Sequence, residues 1–412
     1  MRILIAGAGI GGLTTALALH RHGIDCVLAE QAGAIRELGV GINLLPHAVA
    51  ILVELGLLER LDAVAIRTGE LILTNSKGNE IWREPRGTDA GYAVPQFSIH
   101  RGNLQLLLYE AVRQRLGESA VSVDRRLTSY EQRDEGVVAH LSNRAGTCVE
   151  TIHADALIGA DGIHSTVRAG MYPSEGPPCW NGVMMWRGAA DWPRFLTGRS
   201  MIVAGGTSNK LVVYPIAPGS TPEHRLTNWG VCVKICEAGA RPPRREDWSR
   251  PGDRAQLATF LPHFAIGHLD VKALVAATEV FYEYPMCDRD PLPRWSQGRV
   301  TLLGDAAHPM YPMGSNGGSQ AILDASCISR CLASHAEPAS AFAAYEAERR
   351  SSTTSVVSLN RSGGPEGVID LVERLAPEGF RSIHDVISPQ ELQAIMNRYA
   401  TTAGFAKEQV NA

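Results

Sequence analysis

The sequence predicts a mixed α/β protein in which a Rossmann-like parallel layer is interrupted by an inserted, mostly antiparallel sheet and followed by C-terminal helices. Three observations predict it. The chain opens strand–glycine turn–helix–strand, the pattern of a parallel βαβ unit. From about residue 172 to 295 the texture changes to strand-like pieces that carry much of the Trp and Tyr content. After that the chain returns to an apolar strand and two long helical stretches.

The first strand is Ile3-Leu4-Ile5-Ala6, and GLTTALALHRHG supplies an amphipathic helix. Cys26 to Glu30 reads as a second buried strand that ends in an acid. Residues 31–45 form a glycine-bearing loop, and Pro46 suits the first turn of a helix over His47 to Leu57. Residues 69–84 alternate like a hairpin that turns at Ser76-Lys77-Gly78. A helix over Gly102 to Leu116, short strands through Leu141 and a core strand over Ala154 to Gly159 follow. VMMWRGAAD, SMIVAGG, KLVVYPIA, NWGVCVKIC and VFYEYPM supply the inserted sheet, with linkers such as GARPPRREDWSRPGD between some of them. Arg299 to Leu303 returns to the core, helices are expected near 317–334 and 339–360, and the tail from 363 has helical periodicity.

The chain has 412 residues, 45% hydrophobic and 20% charged, with a net charge of −4. That balance gives no basic field for nucleic acid or an anionic membrane. No apolar run approaches the ~18 residues of a membrane span. The N-terminal apolar run passes straight into glycines, so it reads as a strand of a cytoplasmic protein rather than a signal peptide. The eight cysteines contain no CxxC and no zinc-finger spacing, and buried thiols are expected with no metal site.

Three motifs carry the chemistry. In Gly7-x-Gly9-x-x-Gly12, the first glycine allows the sharp turn, the second clears a path for a pyrophosphate and the third lets helix and strand pack closely. Glu30 stands where an acid binds the hydroxyl pair of a ribose. The pattern predicts dinucleotide binding and does not by itself separate FAD from NAD. The second motif is GADGIHSTVR, Gly159 to Arg168; its structural alternative is a helix cap at Asp161 with Arg168 serving an acid. The third is GDAAHPMYPMGSNGGSQAILDA, Gly304 to Ala325. It carries Asp305 to the C-terminal edge of a strand, where a carboxylate can accept hydrogen bonds from a ribityl chain. The glycines at 314, 317 and 318 leave helix N–H groups free to face the pyrimidine edge of a flavin. The structural alternatives are an N-cap for Asp305 and a packed loop histidine for His308.

Together Gly7, Gly9, Gly12, Glu30, Asp161-Gly162, Gly304-Asp305 and Pro312 resemble the FAD-dependent, single-component aromatic monooxygenases of the p-hydroxybenzoate hydroxylase class, from residue 1 to about 350. GVGINLLPHAV, SIHRGNLQ, MWRG, YPMCDRDPLP and the third motif are similar to the bacterial phenazine-modifying monooxygenases, which act on methylphenazine carboxylate. The resemblance implies an FAD-binding domain of the glutathione-reductase type over 1–171 and 296–360, with 69–100 partly in the substrate layer. It further implies a substrate sheet over 172–295 and a helical appendix over 361–412. Non-covalent FAD would be held by Gly7, Gly9, Gly12, Glu30, Arg101, Asp161 and Asp305. Val40 and Gly41 would border one side of the flavin ring, and Pro312, Gly314, Asn316 and Gly317 the other. Where the class carries GxGxN, this chain reads Gly314-Ser315-Asn316-Gly317-Gly318, with the Asn displaced.

The implied reaction uses NADH or NADPH and O2 and hydroxylates an aromatic or heteroaromatic small molecule through a flavin C4a-hydroperoxide, by a monomer or homodimer. The flavin carries the chemistry, so no catalytic side chain is assigned. Trp186, Arg187, Tyr214, Trp229, Tyr284 and Met286 are candidates for the substrate pocket, with Met310, Tyr311 and Met313 from the third motif. Baeyer–Villiger oxygen insertion stays open on the same scaffold. A halogenase would carry WxWxIP, which MMWRGAADW does not match, and a non-enzymatic GTPase-escort relative would not need the Asp305 motif.

Overall fold

The computed structural model describes all residues except 38–39 and 245–246, and of Cys148 and Val149 only the backbone. Gly39 of GVGINLLPHAV, part of the 239–253 linker and the Cys148 thiol therefore lie outside the described residues.

Strands Arg2–Ala6, Asp25–Ala29, Ala156–Gly159 and Val300–Leu302 form the parallel centre of a six-stranded sheet, edged by Val121–Ser122 and Ser296–Gln297. The first strand lies between Ala156–Gly159 and Asp25–Ala29, with Ile5 opposite both Ile158 and Leu28. Ile3, Leu4, Ile5, Leu157, Ile158 and Leu302 are fully buried, as continuous apolar strands covered on both faces must be. Helices Ile10–Arg21, Arg101–Leu116, Gly317–Ser334 and Pro338–Arg361 accompany this layer.

A second, seven-stranded sheet runs Phe281–Asp288, Cys179–Pro193, His224–Lys234, Asn209–Pro218, Ser200–Ala204, Glu70–Thr74 and Glu80–Pro85. The 69–84 hairpin thus joins the inserted sheet, through a parallel pairing of Glu70–Thr74 with Ser200–Ala204. Along each strand alternate residues face opposite sides. One side carries Trp186, Trp229, Val231 and Phe281 into a core closed by Arg254–Phe260 and Val271–Ala276. These two helices interrupt a stretch expected to be mostly strand. Their sequence signal is a capping acid: Asp253 accepts from Ala255 N and Gln256 N, and Asp270 from Ala273 N. The other side faces the parallel layer.

The helix expected over His47 to Leu57 runs Pro46–Glu54 and stops, because Gly56 adopts φ +68 and turns the chain into a separate helix, Leu58–Val64. The C-terminal segment is helical, with Gly367–Leu375 and Pro389–Ala403 packed on Leu71, Leu73, Met201 and Ile216.

His47 yields a prediction. Its ring is buried against Phe405 at 5.8 Å, and neither ring nitrogen has a hydrogen-bond partner among the described residues. Burial, with Arg349 adding repulsion, lowers its pKa to about 3. The unfolded chain therefore binds a proton below the ordinary histidine value that the folded chain refuses. The stabilisation is complete above pH ~6.5 and is lost as pH falls toward 3, at about 1.4 kcal/mol per pH unit. His47→Phe is expected to flatten this part of a stability-versus-pH curve measured by urea unfolding. An unaltered slope would refute it.

Candidate active site

Between the parallel layer and the inserted sheet lies one cleft with a cavity of about 370 Å³. Its floor comes from strand ends of the parallel layer: Gly9, Ile10 and Gly11, then Ala160 and Gly162, then Leu303, Gly304 and Asp305. Arg101, at the start of its helix, and the 310–318 loop close one end. Its roof is the even-numbered side of two strands, Tyr282, Tyr284 and Met286, and Asn228, Gly230 and Cys232, together with Met185, Arg187, Lys210, Val212 and Tyr214.

The glycine turn is built by contact. A Cβ on Gly12 would lie 2.0 Å from the carbonyl oxygen of Gly7, and one on Gly7, at φ +103, would lie 2.4 Å from that of Ala160. Gly9 faces open space, with nothing within 4 Å of a Cβ position. The helix that follows has no side-chain cap and no acid in its first turn, so its N–H groups point into the cleft uncompensated. Glu30 is anchored beside this turn, with Oε2 accepting from Ala8 N at 2.7 Å and Oε1 from Ala32 N at 2.7 Å. Gln105 donates to Ala8 O at 2.8 Å and steadies the same turn.

Asp161 caps the Thr166–Met171 helix through Oδ2, which accepts from Thr166 N at 2.7 Å. The capping alternative therefore holds for that oxygen. Oδ1 is buried without a partner among the described residues, and burial pushes the carboxyl pKa up, opposed by Ser165 and the Thr166 N–H. Arg168 serves Glu175 and also donates to Ala306 O at 3.1 Å and Ala307 O at 3.0 Å, which pins the Asp305 turn from behind.

Asp305 sits in a short turn, Gly304–Ala306, and is exposed to the cleft. Protein surrounds that cleft, so burial pushes its carboxyl pKa up, with His308 and Arg101 opposing. His308 is the packed histidine of the structural alternative, and its partner was not foreseen. Its Nε2 lies 2.5 Å from Asp324 Oδ2, while Arg349 Nε donates to Asp324 Oδ1 at 2.8 Å and Gly304 N donates to Oδ2 at 3.1 Å. Burial raises the Asp324 pKa, but His308 and Arg349 outweigh it and hold it at about 2. A fully buried carboxylate thus fixes both ends of the 304–308 turn.

The 310–318 loop places Met310, Pro312, Asn316 and Gly317 on the cleft, with Ser315 and Gly318. The Gly317–Ser334 helix begins there without a side-chain cap. Gly314 faces the C-terminal segment instead, where a Cβ would meet the Tyr399 ring at 2.4–2.5 Å. Tyr399 donates to Met313 O at 3.0 Å, and Glu366 accepts from Gly314 N at 3.1 Å. The expected appendix therefore shapes the loop, and Glu366 itself reaches the cleft.

Among the proposed substrate residues, Arg187, Tyr214, Tyr284, Met286 and Met310 line the cleft. Val40 and Gly41 border it, and Gly41 N donates to Asn228 Oδ1 at 2.8 Å. Trp186 and Trp229 do not line it. Trp186 neighbours Arg187 on one strand, so the two must face opposite sides, and Trp186 packs on Phe260 while donating to Glu283. Trp229 likewise turns to Phe281 and donates to Thr278 Oγ1 at 2.8 Å. Tyr311 and Met313 pack behind the wall with Met286 and Tyr284. Residues not singled out from sequence include Lys210, Asn228, Cys232 and Trp248. Trp248 comes from the polar linker and stands edge-on to Tyr284 at 4.3 Å. Lys210 shares a strand side with Tyr214, which period-two counting from Tyr214 would have found; Cys232 and Asn228 lie on the side opposite Trp229.

Arg187 is the site's unbalanced charge. Its guanidinium donates to Gly41 O and to Tyr284 Oη, and no carboxylate lies within ion-pair distance among the described residues. Burial works against its charge, but Tyr284 and Tyr214 hold the proton, and its pKa is raised above the ordinary arginine value. Lys210, by contrast, is paired with Glu366 at 2.5 Å.

The residues present fit an FAD. Two uncapped helix N-termini, an open Gly9 and the carboxylate of Asp305 lie along one cleft, and Asp161 stands between Ala160 and Gly162, which line it.

Comparison with known proteins agrees. The FAD binding domain family model matches residues 1–360. The chain is 47% identical to the phenazine 1,6-dicarboxylic acid hydroxylase PhzS of Lysobacter antibioticus, over 87% of this chain and 89% of that protein. It is 33% identical to a 3-amino-4-hydroxybenzoate 2-monooxygenase of Streptomyces cremeus, over 86% and 85%. Its fold matches a variant of HpxO from Klebsiella pneumoniae solved with FAD, with a TM-score of 0.76, 23% identity and 98% of both chains covered.

Proposed function

Because the chain belongs to the FAD binding domain family and is an FAD-dependent monooxygenase, we propose that it hydroxylates an aromatic or heteroaromatic carboxylic acid whose carboxylate is held by Arg187, with NADH or NADPH as reductant. The observation that carries the proposal is the Arg187 guanidinium, with no carboxylate partner among the described residues, in an aromatic-walled cleft. A half-buried cation without a carboxylate partner is costly, and a bidentate carboxylate is the anion its planar fork suits. The names of both relatives support the class, since each refers to an aromatic carboxylic acid.

When bound, the flavin supplies hydride acceptance and oxygen activation. The chain's part is to bind, orient and dry the site. In this reading Glu30 would hold the adenosine ribose, Gly7, Gly9, Gly12 and Asp161 the pyrophosphate, and Asp305 and Arg101 the ribityl region. Val40 and Gly41 would border the ring opposite Pro312, Asn316 and Gly317, while Gly314 backs the loop from the C-terminal segment. The Gly317 helix start offers uncapped N–H groups to negative charge on the ring. Met185, Tyr214, Tyr284 and Met286 give an aromatic substrate an apolar slot, and Trp248 stands edge-on to Tyr284 beside it. In domain terms, residues 1–171 with 296–360 would hold the cofactor and 172–295 the substrate, while 361–412 adds Glu366 to the wall and Tyr399 behind it. The described residues contain no helix long and apolar enough to cross a membrane.

The test is consumption of NADH or NADPH stimulated by phenazine-1,6-dicarboxylate or 3-amino-4-hydroxybenzoate under ¹⁸O2, with mass spectrometry of the product. One labelled oxygen on the ring is expected. Unlabelled product would overturn the proposal, and a label inserted beside a carbonyl would point to Baeyer–Villiger chemistry. Arg187→Met is expected to weaken binding of the acid about 100-fold. Flavin content and affinity for the corresponding amide should change little. Equal losses for acid and amide would remove the carboxylate role.

A further inference from the structure

A second cavity, of about 500 Å³, lies on the far side of the 314–315 turn, between the Glu70–Pro85 hairpin region and the C-terminal helix Pro389–Ala403. Its walls include Leu73, Trp82, Tyr92, Met396, Tyr399 and Phe405, an aromatic and apolar lining for a flat ring. Three of its lining residues also carry a buried polar atom with no partner among the described residues. Gln96 is 3% exposed and its Oε1 has no partner, and Trp82 Nε1 and Arg86 Nε are likewise buried and unpaired. Buried donors and acceptors without partners are rare in folded proteins and call for a ligand or water.

This cavity is separated from the active-site cleft by very little. Met201, Ser315 and Glu366 line both. Ser315 holds a left-handed conformation, φ 56, unusual for a residue with a side chain, and its link to Asn43 is long at 3.4 Å. Glu366 forms the rest of the partition, with one oxygen on Lys210 Nζ at 2.5 Å and the other on Gly314 N at 3.1 Å. From the second cavity a carboxylate meets Glu366 first, and behind it, on the cleft side, the Lys210 ammonium that Glu366 already binds.

We propose that the second cavity is a waiting site for the aromatic acid, from which the substrate enters the cleft past Ser315 by displacing Glu366 from Lys210 and passing its carboxylate on to Arg187. The inference rests on the substrate class proposed above. No bond is made or broken in the transfer: one carboxylate replaces another on the Lys210 ammonium, and Glu366 returns after passage.

A transit site has a kinetic signature that a merely structural one lacks. Obstructing it slows entry and exit alike and leaves the equilibrium constant in the cleft unaltered. Ala400 and Ala406 line the cavity from two sides and touch neither the cleft nor the cofactor residues. The experiment is stopped-flow mixing of the FAD-loaded enzyme with phenazine-1,6-dicarboxylate, read by perturbation of flavin absorbance, in wild type, Ala400→Phe and Ala406→Phe. Flavin content and melting temperature verify that each variant is folded. Association and dissociation rate constants are expected to fall together by about tenfold, with Kd within about twofold of wild type. Wild-type rates in a folded variant would overturn the waiting site alone. A changed Kd at an unchanged association rate would do the same. A wild-type enzyme whose flavin does not respond to the acid would remove the substrate class and, with it, the transit role.

Discussion

Gly12→Ala is expected to purify without flavin. The added methyl would sit 2.0 Å from the Gly7 carbonyl oxygen and 3.4 Å from Ile5 Cγ2. The first contact is with backbone, so no rotamer change relieves it; the turn itself must move. That turn carries the Ala8 N–H that anchors Glu30 and the path past Gly9, so every feature placed for the pyrophosphate and ribose moves together. Overpacking of this kind costs about 1–3 kcal/mol in a side-chain core and more where backbone must yield. Flavin absorbance per protein in the purified variant measures it, with circular dichroism to show that the chain still folds. Full flavin content would mean that the turn relaxes freely and that its close packing has no bearing on the cleft.

Asp324→Ala is expected to cost about 3–5 kcal/mol of unfolding free energy, the usual penalty for removing one partner of a buried ion pair. Arg349 and His308 would be left buried, and Gly304 N would lose its acceptor. Because Gly304 N and His308 flank Asp305, the damage should reach the cleft, and FAD affinity should fall with stability. Asp324→Asn keeps the shape and some hydrogen bonding, and is expected to recover flavin affinity better than stability. Chemical unfolding with flavin titration on both variants checks this. Equal stability of Asp324→Ala and wild type would show that the network is not what holds the turn.

The parallel layer was legible because its signals are local. Apolar runs such as Ile3 to Ala6, followed by glycines and an amphipathic helix, specify a βαβ unit without reference to distant residues. The inserted sheet was legible as strands, but not as to which side each residue faces. Trp186 and Arg187 were both placed in the pocket, although neighbours on a strand cannot share a side. The pairing of Arg187 with Gly230 and Tyr282 fixes the cleft side, and that pairing is tertiary information. Asp324 was missed for a related reason. Its one local signal is an acid on a helix face otherwise made of Ala321, Ile322, Ala325 and Ile328, and its partners His308 and Arg349 lie on separate segments. Glu366 and Tyr399 could not be assigned from periodicity, which reports that a tail is helical and not where it docks.

The most direct measurement is a crystal structure of the holoenzyme with phenazine-1,6-dicarboxylate. The flavin ring is predicted to lie along residues 312–318 with its phosphates at Gly9, and the acid to rest between Tyr214 and Tyr284 with one carboxylate on Arg187. Flavin bound away from Asp305 and the Gly9 turn, or an aromatic acid whose carboxylates avoid Arg187, would contradict the account.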